Sequence, residues 1–141
     1  MIRAYAVVLT VLVLSCRGGV DSLRDPGTDV GIFFPRHSGG TPGNLAPAEG
    51  RLEVTNNCLW IITPSGPLLP IWPPGSKPEQ ADGALRVADA TGRTMAVVGR
   101  VIRVVGGERS LRDAADLIGR EPPVPCRAGT FYVVRAVESS P

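Results

Sequence analysis

Lysine is almost missing from this 141-residue sequence: Lys77 stands alone against fourteen arginines. Histidine occurs once, at His37, and aromatic residues make up only 5% of the chain. No apolar run approaches the roughly 20 residues that a membrane-spanning helix needs. Each shortage excludes something. A formal net charge of +2 leaves no basic surplus of the kind that advertises nucleic-acid binding. A single histidine cannot furnish a multi-histidine metal site, and it leaves Ser–His catalysis without a placed base. G-x-S-x-G, H-E-x-x-H, P-loop and G-x-G-x-x-G patterns are all missing. The length is too short for a TIM barrel and fits one domain. No cofactor, metal or nucleic-acid partner is expected.

What is present starts at the N-terminus. Arg3 precedes an eleven-residue run, 4–14, of apolar, aromatic and threonine side chains. That is the length of a secretory h-region, and it ends in Ser15-Cys16-Arg17-Gly18-Gly19. Val13-Leu14-Ser15-Cys16 resembles the lipobox of bacterial prolipoproteins. The resemblance implies cleavage before Cys16, a lipid on its sulfur, and a chain held at the membrane on the extracytoplasmic side. Val13 and Leu14 depart from the commonest residues at those two places. Ordinary signal cleavage after Ser15 would instead give a secreted protein. Residues 1–15 are therefore read as signal peptide.

Three cysteines is an odd number. With Cys16 assigned to lipid, Cys58 and Cys126 remain, and an exported pair most simply forms a disulfide. It would close about 69 residues and contribute roughly 4 kcal/mol in the chain-entropy model. No C-x-x-C spacing or neighbouring histidine points to redox or zinc chemistry.

Residues 16–49 read as a lipid-anchored flexible linker. Eleven of the thirty-three residues from 17 to 49 are glycine or proline. Such a stretch buries too little apolar surface to offset its ordering entropy, and would span about 30 Å on average. The apolar patch Ile32-Phe33-Phe34-Pro35 interrupts it and is expected to dock on the domain surface. His37 beside it is expected to be exposed.

From Gly50 to the C-terminus the texture is that of a small β domain. Short apolar segments at 51–55, 58–63, 68–72, 84–88, 94–105 and 130–137 alternate with turn residues. In the second, Cys58, Trp60 and Ile62 share one face, and Leu59 and Ile61 share the other. Pro70 assigns the third to a sheet edge. Gly99 predicts a bulge within the fifth, and Gly106-Gly107 its end. The segment 76–83 is expected to be a polar loop. Ser110 to Ile118 predicts the one helix, with Leu111, Ala114, Ala115 and Ile118 in a stripe, Ser110 as N-cap and Gly119 as stop. The fold class is all-β: a six-stranded, OB-like barrel, or a sandwich, with one short helix. Asn57-Cys58-Leu59, then Pro70-Ile71-Trp72-Pro73-Pro74-Gly75, then Val98-Gly99, resemble the same order in uncharacterised small bacterial β domains. That resemblance spans roughly residues 50–137 and implies no activity.

Candidate contacts follow from chemistry. Trp72, after the proline-rich strand, would stack on a sugar ring or a partner's apolar side chain if half exposed, and packing in the core or at its rim is the plainer reading. Trp60 is expected in the core beside the disulfide. Arg86, Arg93, Arg100, Arg103 and Arg109 would form a cationic surface if they shared a face, with Arg100 and Arg103 on the longest strand. Glu79 with Asp82, and Asp113 with Asp116, are the carboxylate pairs available for acid–base hydrolysis. Solvated surface charge is the plainer reading of all four. The expectation is a non-enzymatic envelope lipoprotein with a glycan or protein partner. A secreted ligand-binding module and a carboxylate hydrolase are the alternatives.

Overall fold

The computed structural model describes residues 30–40 and 43–138. The signal segment, Cys16 and the start of the linker lie outside the described residues. Eight strands and one α-helix follow one another: β1 (Ala46–Thr55), β2 (Cys58–Thr63), β3 (Gly66–Ile71), β4 (Lys77–Ala81), β5 (Ala84–Ala88), β6 (Thr94–Val97), β7 (Val101–Arg109), α1 (Leu111–Ile118), a short 3-10 turn (Val124–Arg127) and β8 (Thr130–Glu138). Five of the strands close a barrel in the order β1-β2-β3-β8-β7, while β4-β5-β6 form a separate three-stranded sheet. The all-β expectation holds, and the sheet closes on itself rather than splitting into a sandwich. In place of a six-stranded barrel, the described residues form eight strands, five of them in the barrel.

Local chemistry sets the turns. Asn56 and Asn57 both take positive φ, 52° and 60°, and so join β1 to β2 through a tight hairpin. Asp82 (φ 51°) and Gly83 (φ 75°) do the same between β4 and β5. The Asp89 carboxylate accepts the N–H groups of Thr91 and Arg93 and shapes the β5–β6 turn. Ser110 caps α1 by accepting the Asp113 N–H, and Gly119 ends it in the left-handed region.

Four local expectations change. The loop at 76–83 is a hairpin: β4 is polar and contains Pro78, which an edge strand tolerates. The long strand breaks at Gly99 into β6 and β7. There Gly99 N–H donates to Leu52 O and Val98 N–H to Leu85 O, stitching the small sheet to the barrel. The bulge lies at Val105/Gly106 instead, and β7 continues through both glycines to Arg109. Finally, β3 is not an edge, because it pairs antiparallel with β2 and parallel with β8.

Pro70 is accommodated because β2 and β3 diverge beyond the Ile61–Leu68 pair. The N-terminal segment 33–37, here called the strap, lies in that gap. Phe33 N–H donates to Asn57 O (2.6 Å), Trp72 N–H to Pro35 O (2.9 Å) and His37 N–H to Trp72 O (3.1 Å). The docking expected for the Phe-Phe patch is therefore deeper than a surface contact. Phe34 enters the barrel core and stacks on Trp72 with ring centroids 5.6 Å apart, while Phe33 joins a second core outside the barrel. β1 also begins at Ala46, inside the stretch read as linker.

Two cores result. The barrel interior contains Leu52, Leu59, Ile61, Ile102, Val104, Tyr132 and Val134, with Val87 and Ala96 of the small sheet packed against it. The outer core lies on the opposite faces of β2, β3 and β8, where Trp60, Leu69, Ile71, Phe131 and Val133 meet Ala114 of α1 and Cys126.

Candidate functional site

Cys58 and Cys126 form a disulfide with Cα atoms 5.5 Å apart. Both are buried, so the bond ties the 3-10 turn to the first residue of β2 within the outer core. Trp60 packs in that same core, as expected. The outer face of β2-β3-β8 is consequently covered by α1, the 3-10 turn and Phe33. Arg120 closes the arrangement from above, with its guanidinium 5.3 Å from the Phe33 ring centroid.

Trp72 does not offer a contact surface. It is 0% exposed, with its ring inside the barrel against Phe34. Burial of this large apolar ring by the strap is what removes it from solvent. His37 is likewise corrected, being 9% exposed with Nε2 3.2 Å from Val134 O. The burial of Trp72 agrees with the plainer reading of that residue, whereas the burial of His37 was missed because the strap looked like linker.

The arginines do not converge. Arg103 ion-pairs with Glu138 at 2.7 Å and stands opposite Glu49 on its other side, so two carboxylates flank it. Arg100 is exposed at the start of β7, and its backbone carbonyl accepts the Leu52 N–H. Arg86 holds Glu79, Arg93 holds Asp89, and Arg109 donates to the Glu108 carbonyl. Glu79, Asp82 and Asp113 of the two candidate carboxylate pairs have local structural roles. Hydrogen bonding from Arg86 keeps Glu79 below its ordinary range. Asp82 shapes a turn, and the Asp113 carboxylate accepts from the Ser110 hydroxyl. Among the described residues no cluster of three or more His, Cys, Asp or Glu could hold a metal ion. No described helix is long and apolar enough to cross a membrane.

What the fold does open is a cleft of about 560 Å³ at one mouth of the barrel. The start of β1, the β2–β3 turn, Leu68, Glu108 and Tyr132 line it. Tyr132 donates its hydroxyl to Ala46 O, fixing the start of β1 over the mouth. Burial, opposed by the backbone at Gly106 and reinforced by Glu108, raises the Tyr132 pKa above its ordinary 10.0. The charged lining is all acidic, Glu49 and Glu108, and neither makes an ion pair among the described residues. Thr63, Ser65 and Tyr132 add hydroxyls. A more open groove of about 700 Å³ runs along α1, where Leu111 and Ala115 of the apolar stripe face outward between Arg112 and Asp116. The stripe is wider than its burial, because only Ala114, Leu117 and Ile118 reach the outer core.

No protein family, characterised protein or solved structure matches this chain.

Proposed function

We propose that the chain is an envelope lipoprotein, anchored through lipid on Cys16, whose small barrel works by binding a protein partner rather than by catalysis. The observation that carries the export reading is the Cys58–Cys126 disulfide, a bond that persists in oxidising compartments, downstream of a signal-like N-terminus. We read the barrel as OB-like, with the β4-β5-β6 sheet inserted between its third and fourth strands and the helix before its fifth.

In OB barrels the second and third strands present a face to oligonucleotides or oligosaccharides. Here the outer face of β2 and β3 is occupied by the chain's own helix and 3-10 turn, which favours contact elsewhere. The barrel mouth is the open place, and its acidic lining suits a basic segment of a partner. A secreted glycan-binding module is the weaker reading. Sugar stacking needs an exposed aromatic face, and every aromatic residue among those described is buried.

Metabolic labelling with a palmitate analogue tests the anchor. Label on the full-length protein that disappears in Cys16→Ser supports it, and an unlabelled protein overturns it. Crosslinking from a photoreactive residue at position 65, compared with one at position 51, tests the mouth. Equal capture from both positions argues against it.

A further inference from the structure

We propose that the junction of the strap, β3 and the small sheet contains a buried site for a single water molecule, formed by His37, Trp72 and Ser76, which latches the strap to the barrel. Three side-chain polar atoms there are buried without a protein partner: His37 Nδ1, Trp72 Nε1 and Ser76 Oγ. Their residues are 9%, 0% and 1% exposed. Native structures leave few such groups unpaired, and each calls for an explanation.

The three belong to one neighbourhood. His37 N–H donates to Trp72 O, Arg36 Nη1 donates to Ser76 O (3.3 Å), and Ser76 N–H donates to Pro73 O (3.2 Å). The His37 ring reaches Val134 O, and Val134 shares a core with Trp72 and Phe34.

Hydrogen-bond polarity defines the ligand. A carbonyl oxygen only accepts, so the hydrogen of neutral His37 lies on Nε2 and Nδ1 presents a lone pair. Trp72 Nε1–H only donates. The Ser76 hydroxyl does either. A metal cation would be repelled by the indole N–H, and an anion by the Nδ1 lone pair. The group that fits both must donate and accept. Water accepts from Trp72, donates to His37 and completes its set at Ser76, which is the usual complement of about three bonds for a buried water. Each bond joins a different element: the strap, the end of β3 and the approach to β4. Removing one therefore loosens the strap.

The test uses full-length protein in detergent and the indole proton of Trp72, identified by comparison with Trp72→Phe. The expected result is a cross-relaxation peak between this proton and a long-lived water, with indole exchange accelerating roughly tenfold in Ser76→Val as one hydrogen bond is lost. His37→Phe should give a similar acceleration. Should that variant fail to fold, the wild-type peak and Ser76→Val still decide. No water peak at Trp72, or unchanged exchange in Ser76→Val, overturns the site. A high-resolution crystal structure in which His37 Nδ1 and Ser76 Oγ bond each other directly overturns it too.

Discussion

Single residues decide where the backbone can close. A β-carbon at Gly106 would overlap the Val133 carbonyl and crowd the Tyr132 ring, at the bulge that curves β7 against β8. Gly106→Ala should cost about 1–3 kcal/mol as an overpacking change, read as a lowered urea midpoint. Gly99, by contrast, has open space around it but a φ of +87°, so its constraint is conformational. Glu79 gives a pH signature. Arg86 lowers its pKa from the ordinary 4.5, so the stabilisation is present above the unfolded value and is lost as pH falls through the folded one. Asp89 behaves alike, chiefly through the Thr91 hydrogen bond. Urea midpoints should fall as the pH is lowered through the carboxylate range, and Arg86→Ala should make that slope shallower.

At the scale of elements, much was legible where residue chemistry is local. The strand Cys58–Thr63 and the capped helix α1 follow from side chains that act within a few residues. What escaped depends on distant partners. Nothing local shows that β4, with its Lys-Pro-Glu-Gln, is a strand, because its pairing comes from β5. Pro70 looks like an edge marker until the gap beside it is filled by a segment far earlier in the chain. The strap was hardest, since Phe33 and Phe34 sit among glycines and prolines and their two cores are built from residues beyond 50. Its importance is testable: Phe34→Ala should cost about 3–5 kcal/mol and weaken the near-ultraviolet signal of Trp72. Ser110→Ala, which removes only a cap, should cost about 1 kcal/mol.

For the whole molecule, the parts are held by connections that cross the sequence. β1 pairs with β7, β3 pairs with β8, and the disulfide links residues 68 apart in sequence. Replacing Cys58 and Cys126 by serine should remove about 4 kcal/mol by the loop-entropy estimate, measured by urea unfolding against the oxidised protein. The candidate site divides the same way. The disulfide pair was legible from cysteine arithmetic. The acidic mouth was not, because Glu49, Ser65, Glu108 and Tyr132 meet only when the barrel closes.

The strap also determines how the protein answers mechanical load. Within the described strap, tension from its N-terminal side meets Phe33, whose N–H is bonded to Asn57, before Pro35 and His37. Such load passes through these bonds to the β1–β2 turn and to the end of β3. The chain from Phe33 to Ala46 has a contour length of roughly 45 Å at full extension. A pull on this one short link therefore acts on both cores at once, because it supplies Phe33 to one and Phe34 to the other.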